Sequence, residues 1–562
     1  MRATILDRTS MICFVSTMPN FTHREKWIVL VLAVLAFIAH LINLGLMPLM
    51  ADEAIRATVA WEMMVSKNYI VPTMWGEYYY RKPPLYNWII IGFFEVFNSY
   101  SEFVFRLPSV IPLFLLSFAT WFVSKQHIGE RAAAIAAFGF LLSGRLLTRD
   151  SMLGHIDIAF SLVTFLGFFA VYHFQKRKNF WSLFIISYAL AAAGVLMKGL
   201  PSFLFQGFTV GLWLIYKRDW KKLISASHFA GIAVFLLIVV GYFYTYSQYN
   251  SLETYFGELY GQAAMRTVVD KPWYEGVLNL FVFPFENFGH LFPTSLILIF
   301  MFRKGTIKRW MCNDFLSFVL LTLAINVLPY WLSPGYYPRY LFMLYPLCFI
   351  LGAESFITHS SNRNWMIKSV EWLFFAMGMI LMIAYTGVSF VPELKELSYF
   401  IWAAVIILLL TAVIIWLWFK QPQWRIYWSF AILISFRIGF DLYVIPYRMF
   451  DEGSAPPARK IMAERILANT PNDWPIKLFD QSPIYKEHAY YLGVATNRII
   501  ERTTLVEPNC YYLVDDFRMK RVAQFESIYH HKMYYKDYET HVCQMKEASH
   551  LENEESHHAT TE

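Results

Sequence analysis

Apolar stretches long enough to cross a bilayer recur along this sequence, among them Ile28–Leu46, Phe229–Tyr246 and Ile401–Phe419. Each covers the roughly 30 Å of hydrocarbon that a membrane presents. Lipid is therefore the solvent for most of the 562 residues, of which 57% are hydrophobic and only 16% charged, a balance that does not suit a water-facing surface. Residues 1–26 carry only a short apolar patch at Met11–Met18 and show no small-residue cleavage site before Arg24-Glu25-Lys26. They read as a cytoplasmic lead-in.

A net charge of +7 raises the question of nucleic acid, but the cations sit in short loops between spans, as the positive-inside rule requires. Nucleic acid is thereby excluded as a partner, and membrane lipids take its place. The basic loops are Gln175–Asn179, Lys217–Lys222, Arg303–Arg309, Arg363–Lys368 and Lys420–Arg425, all expected in the cytoplasm. The alternate loops face outward: around Asp157, Lys198–Pro201, Asn250–His290, Ser333–Arg339, Val391–Glu396 and the tail from Tyr447.

Three apolar stretches, Leu85–Phe97, Leu107–Val123 and Arg131–Leu147, lie where parity permits an even number of crossings, so one of them is not a full span. The total is about thirteen spans, with the N-terminus inside and the C-terminus outside. From Tyr447 the charge rises, and the apolar runs Ile476–Phe479, Ala489–Val494 and Tyr511–Val514 alternate with a helical pattern at Ala458–Ala468. The expected fold is an α-helical polytopic membrane protein: a transmembrane domain at 27–446 with its first outer loop at 48–84, and a small extracytoplasmic α/β domain at 447–562 whose last dozen residues are disordered.

Five cysteines form no CxxC pair and no metal-ligand cluster with histidine. Cys510 and Cys543 share the tail, where an oxidising compartment would let them pair.

Ionisable residues gather at the outer ends of the spans. Asp52-Glu53 opens the first outer loop, either as catalytic carboxylates or as acids complementing a helix N-terminus over Ala51–Val65. The same loop continues Gly76-Glu-Tyr-Tyr-Tyr-Arg-Lys-Pro-Pro-Leu85, in which two cations precede a rigid Pro-Pro step that fixes the direction of Lys82. Its alternative is a snorkelling interfacial lysine. Asp157 begins an apolar span, where an ionised group is costly without a partner or a role; helix capping is the competing explanation. Lys198 stands at a span end before Gly-Leu-Pro201. The segment Tyr255–Trp273 brings Glu258, Gln262 and Arg266, and the turn Ser333–Tyr340 brings Arg339 and Tyr340. Arginine favours phosphate because its planar fork donates two hydrogen bonds at once. Carboxylates and cations on one face suit a phosphate-linked substrate with acids left for the acceptor.

The runs Ala51-Asp-Glu-Ala-Ile-Arg56, Asn68-Tyr-Ile-Val-Pro72, Lys82-Pro-Pro-Leu85 and Glu102-Phe-Val-Phe-Arg-Leu-Pro108 are similar, in order and spacing, to the aminoarabinose lipid A transferases and the polyprenyl-phosphate-dependent protein mannosyltransferases. The resemblance implies the GT-C glycosyltransferase fold in the plasma (cell inner) membrane. It implies that Asp52 and Asp157 are the acids of the catalytic cavity, that Lys82 and Arg266 hold the carrier-lipid phosphate, and that Lys198 and Tyr340 line the cavity; Glu53 and Arg339, read from their own residue chemistry, complete the expected substrate-binding set. The chain departs from the aminoarabinose transferases at Arg81, where they carry Glu, and near Gln262, where they carry a His-containing segment. No cofactor is required by the implied chemistry, no metal ligand is assigned, and dependence on a divalent ion stays open. The implied reaction moves a sugar from a polyprenyl-phosphate donor to a lipid A-like, glycan or protein acceptor with inversion. A lipid or glycan flippase is the alternative, and it would place its charges near the midplane of repeated halves.

Overall fold

The computed structural model describes residues 20–50, 52–264, 273–333, 335–360, 365–450, 455–532 and 539–545. Among the described residues, eight helices are long and apolar enough to cross a membrane: Glu102–Ile128, Ile156–Lys176, Phe180–Lys198, Ala226–Ser247, Asp314–Trp331, Trp365–Gly387, Phe400–Lys420 and Pro422–Phe450. Helices suit this solvent because every backbone group is satisfied within the segment. Five shorter or more polar-ended apolar elements pack into the same bundle: His23–Leu41, Glu130–Leu141, Pro201–Tyr216, the 3-10 segment Thr294–Phe302 and Tyr345–Ser360. The sequence leads one to expect about thirteen spans; among the described residues eight helices meet the length and composition of a crossing. Glu130–Leu141 shows why a short piece suffices: Ala132–Leu141 is buried throughout, so protein rather than lipid surrounds it.

Leu85–Phe97, one of the three apolar stretches in question, is a helix of 13 residues, shorter than a full crossing needs. Its first turn meets the outer loop, where Arg56 Nη1 donates to Asn87 Oδ1 at 3.4 Å. Just past its last turn the chain meets the tail, where Tyr490 Oη donates to Tyr100 O at 2.6 Å. Both ends therefore lie on the tail's side of the bundle.

The first loop, 48–84, folds as a helix, Asp52–Ser66, and a two-stranded hairpin in which Thr73 pairs Tyr78 and Met74 pairs Glu77. Trp75 and Gly76 form its turn, both with positive φ (64° and 72°), the backbone that a two-residue hairpin turn demands.

The tail is a five-stranded sheet in the spatial order Arg502–Thr503, Ile476–Phe479, Tyr511–Asp515, Glu539–Met545, Phe525–Lys532, parallel in its first three strands and antiparallel in the rest. Helices Ala455–Ala468 and Lys486–Thr496 share an apolar core with one face of it, through Ala463, Ile466, Ala489 and Leu492. The run Ala489–Val494 thus belongs to a helix, while Ile476–Phe479 and Tyr511–Val514 are strands. Cys510 and Cys543, whose pairing the sequence leaves open, are buried free thiols. The register explains it: Cys543 stands opposite Tyr512, not Cys510. Burial pushes the Cys543 thiol up to about 12. The last dozen residues and most of the lead-in lie outside the described residues.

The tail docks on the first loop. Trp61 Nε1 donates to Arg498 O at 3.2 Å, Tyr491 Oη accepts from Leu49 N at 2.8 Å, and Lys460 pairs with Glu102 at 2.8 Å.

Candidate active site

A cavity of about 440 Å³ at the tail's side of the bundle is walled by the start of the first-loop helix, the Tyr79–Lys82 segment after the hairpin, the start of Ile156–Lys176, the end of Phe180–Lys198, Glu258 and the turn Tyr337–Tyr340. Its lining includes Asp52, Arg56, Tyr79, Arg81, Lys82, His155, Asp157, Lys198, Glu258, Tyr337, Arg339 and Tyr340. Five of these are Arg or Lys and three are Asp or Glu, so with His155 neutral the cavity is net positive. An anionic ligand is favoured there.

Asp157 lies in the first turn of Ile156–Lys176, where the helix dipole favours an acid. It caps nothing: His155 is the N-cap, and the Asp157 carboxylate instead accepts from Lys198 Nζ at 2.5 Å. Lys198 is delivered by the end of its helix, where Gly199 at φ 89° breaks the winding and Pro201 starts the next helix. Its ammonium lies 4.1 Å from the centre of the Tyr340 ring and 5.0 Å from that of Phe160. Burial to 7% exposure leaves such a cation few alternatives to a carboxylate and aromatic faces. Arg339 joins the two acids, with Nη2 2.7 Å from Asp52 and Nε 3.4 Å from Asp157. Asp52 itself is 55% exposed at its side chain and faces the cavity.

Of the residues expected from sequence, Asp52, Asp157, Lys82, Lys198, Arg339 and Tyr340 are brought together. Arg266 lies outside the described residues. Glu53 is a correction: it is wholly buried and absent from the cavity lining. Its carboxylate accepts from Arg106 Nε and Nη2 (2.9 and 3.0 Å), Gly154 N (2.7 Å) and Met50 N (3.0 Å). Arg106 in turn donates to the carbonyls of Leu44, Met47 and Pro48. Glu53 therefore fastens the first loop to the bundle and has no free lone-pair direction for a ligand.

A family model described as dolichyl-phosphate-mannose-protein mannosyltransferase matches residues 81–244. An uncharacterised protein of Aquifex aeolicus (strain VF5) is 22% identical over 358 residues, 62% of this chain and 67% of that protein. The undecaprenyl phosphate-alpha-4-amino-4-deoxy-L-arabinose arabinosyl transferase 2 of Pseudomonas fluorescens (strain Pf0-1) is 21% identical over 339 residues, 58% of this chain and 59% of the relative. In three dimensions the chain matches the crystal structure of ArnT from Cupriavidus metallidurans bound to undecaprenyl phosphate, with a TM-score of 0.66 and 17% identity over 92% of this chain and 98% of that one. The chain has the GT-C glycosyltransferase fold. With the family-model match and the arabinosyl transferase relatives, that makes it an integral membrane glycosyltransferase.

On this GT-C frame the cavity also holds residues that the sequence reading did not assign. Arg56 is 5% exposed, bonds to Tyr79 Oη and lies over the Tyr79 ring at 4.8 Å. One signal could have found it, since Arg56 follows Asp52 by four residues and so shares its helix face. Glu258 was visible as a charge of the Tyr255–Trp273 segment, without a role; His155 and Tyr337 had no comparable signal, because nothing local separates them from ordinary span-end residues. Among the described residues one group has the make-up of a cation site, Asp516, Glu539 and His541, and it belongs to the tail. Asp516 and His541 already pair with each other at 2.6 Å.

Proposed function

We propose that this membrane glycosyltransferase moves a sugar from a polyprenyl-phosphate donor to a lipid A-like, glycan or protein acceptor, on the side of the membrane that carries the tail. The observation that carries the reading is the Asp52–Arg339–Asp157–Lys198 array beside Lys82 in one net-positive cavity. An acceptor oxygen attacks the anomeric carbon and the polyprenyl phosphate leaves. Negative charge grows on the departing phosphate, so Lys82 stabilises the transition state more than the ground state, and Arg266 joins it by resemblance to the family. Asp52, exposed to the cavity, orients an acceptor hydroxyl and takes its proton; an acceptor phosphate, already ionised, needs no base. Asp157 pairs with Lys198 and Arg339 and keeps both cations in place. One displacement inverts the anomeric centre. The tail's side is then the extracytoplasmic side, in agreement with the basic loops at the other ends of the spans.

The charges gather at span ends, Asp157 in the first turn of Ile156–Lys176 and Lys198 in the last turn of Phe180–Lys198, which supports transfer over transport. The test is transfer in membranes from radiolabelled polyprenyl-phosphate sugars by wild type and Asp52→Asn at equal expression. Loss of transfer in the variant supports the reading. Labelled lipid crossing the bilayer with no donor consumed by the wild type defeats it.

A further inference from the structure

Glu62 is a carboxylate with no place in the chemistry above, yet it is 1% exposed. It sits on the first-loop helix, and its oxygens accept from Thr73 Oγ1 (2.7 Å), Trp75 N (2.7 Å) and Gly76 N (3.2 Å). Those are the donors of the hairpin turn. Burial raises this carboxyl to about 7, and the three donors pull it back only in part. A buried carboxylate is costly, so its retention here points to what it holds.

The hairpin it holds has the tail on one side and the cavity on the other. Trp75 packs its ring into the tail core with Leu478, Leu492 and Ile500, and its carbonyl accepts from Arg502 N at 2.9 Å. Arg502 also pairs with Glu77 at 3.0 Å. A Cβ on Gly76 would stand 3.2 Å from Glu501 Cγ, so the turn and the tail strand are in close contact. On the other side the hairpin's second strand ends at Tyr78, and Tyr79, Arg81 and Lys82 follow directly into the cavity wall. Tyr79 N is tied back to Pro72 O at 2.8 Å, so the step from hairpin to wall has little slack.

We propose that Glu62 is a positioning residue that clamps the hairpin between tail and cavity and thereby sets where Lys82 meets the donor phosphate, making tail docking part of the active-site geometry. This rests on Lys82 being the donor-phosphate ligand. Tail and cavity are then one working unit: loosening the hairpin at either Glu62 or Arg502 acts through the same lysine.

The experiment uses the full chain in membranes, with kcat/KM for a radiolabelled polyprenyl-phosphate sugar measured for Glu62→Gln, Arg502→Gln, Lys82→Ala and the Glu62→Gln/Lys82→Ala double variant. Glutamine keeps the shape of Glu62 but turns one acceptor into a donor facing the turn's N–H groups, and kcat/KM falls about ten- to a hundredfold, the scale of a small misplacement. Arg502→Gln breaks the partly exposed pair with Glu77 and a hydrogen bond to Gln481 Oε1 (3.2 Å), keeps the fold, and lowers kcat/KM about two- to fivefold. On the Lys82→Ala background, Glu62→Gln changes the residual rate less than about twofold, because the group it positions is gone. A purely structural role for Glu62 gives the full loss on both backgrounds and overturns the inference, as does a Glu62→Gln rate within twofold of wild type. If Lys82→Ala alone leaves kcat/KM unchanged, the donor-site reading itself fails and the inference goes with it.

Discussion

The guanidinium of Arg339 lies 2.7 Å from the carboxylate of Asp52, 287 residues away in sequence. The same group faces Asp157 at 3.4 Å, so one side chain keeps two acids of separate elements at one cavity. Without it, two carboxylates would share one cavity with less compensating positive charge.

Arg339→Gln is therefore expected to lower kcat about 10²- to 10³-fold, the usual scale for one preorganised electrostatic partner. Arg339→Lys does not restore it, since an ammonium lacks the planar fork that serves two carboxylates at once. Turnover at saturating labelled donor checks both variants.

A single displacement predicts inversion. The glycosidic product carries the anomeric configuration opposite to the donor's, as read from its anomeric NMR coupling. Retention would mean a covalent sugar–enzyme step and would remove the assigned role of Asp52.

Glu53 and Arg106 act on stability rather than turnover. Both are essentially unexposed, and removing either leaves the other's charge buried without its partner. Glu53→Gln and Arg106→Ala each destabilise the chain by about 3–5 kcal/mol, and the double variant by much less than their sum. Thermal unfolding in mild detergent measures this. Equal losses of kcat with unchanged melting would return Glu53 to the substrate set.

The tail carries a pH dependence of its own. Burial, then the neighbouring His531 and Arg459, pushes His488 down to about 3. Burial, with His530, His541 and Arg465, pushes His531 down to about 4. Both values lie below the ordinary 6.5, so the unfolded tail binds more protons than the folded one. The stability that these neutral imidazoles contribute is whole above pH 6.5 and is lost as pH falls through 4 toward 3. Hydrogen exchange of the tail amides in the full chain should show protection declining over that window, and His488→Phe should flatten the decline.

Much of this was legible locally. Apolar length marks spans because lipid acts on each segment's own composition, and the motifs carrying Asp52 and Lys82 are contiguous in the first outer loop. Asp157, Lys198 and Arg339 were legible as charges at span ends, where an ionised side chain needs a partner or a use. What the sequence by itself could not determine was which neighbour faces which way. Asp52 and Glu53 are adjacent acids, but successive residues on a helix point about 100° apart, so one meets the cavity and the other the interior. Only the packing of the helix chose between them. The shorter apolar pieces were decided in the same way, since how much length a span needs depends on whether protein or lipid surrounds it. The Glu77–Arg502 contact joins positions 425 residues apart, and no local pattern encodes it. Backbone direction and side-chain type are written residue by residue; the convergence of distant span ends on one cavity is a property of the whole bundle.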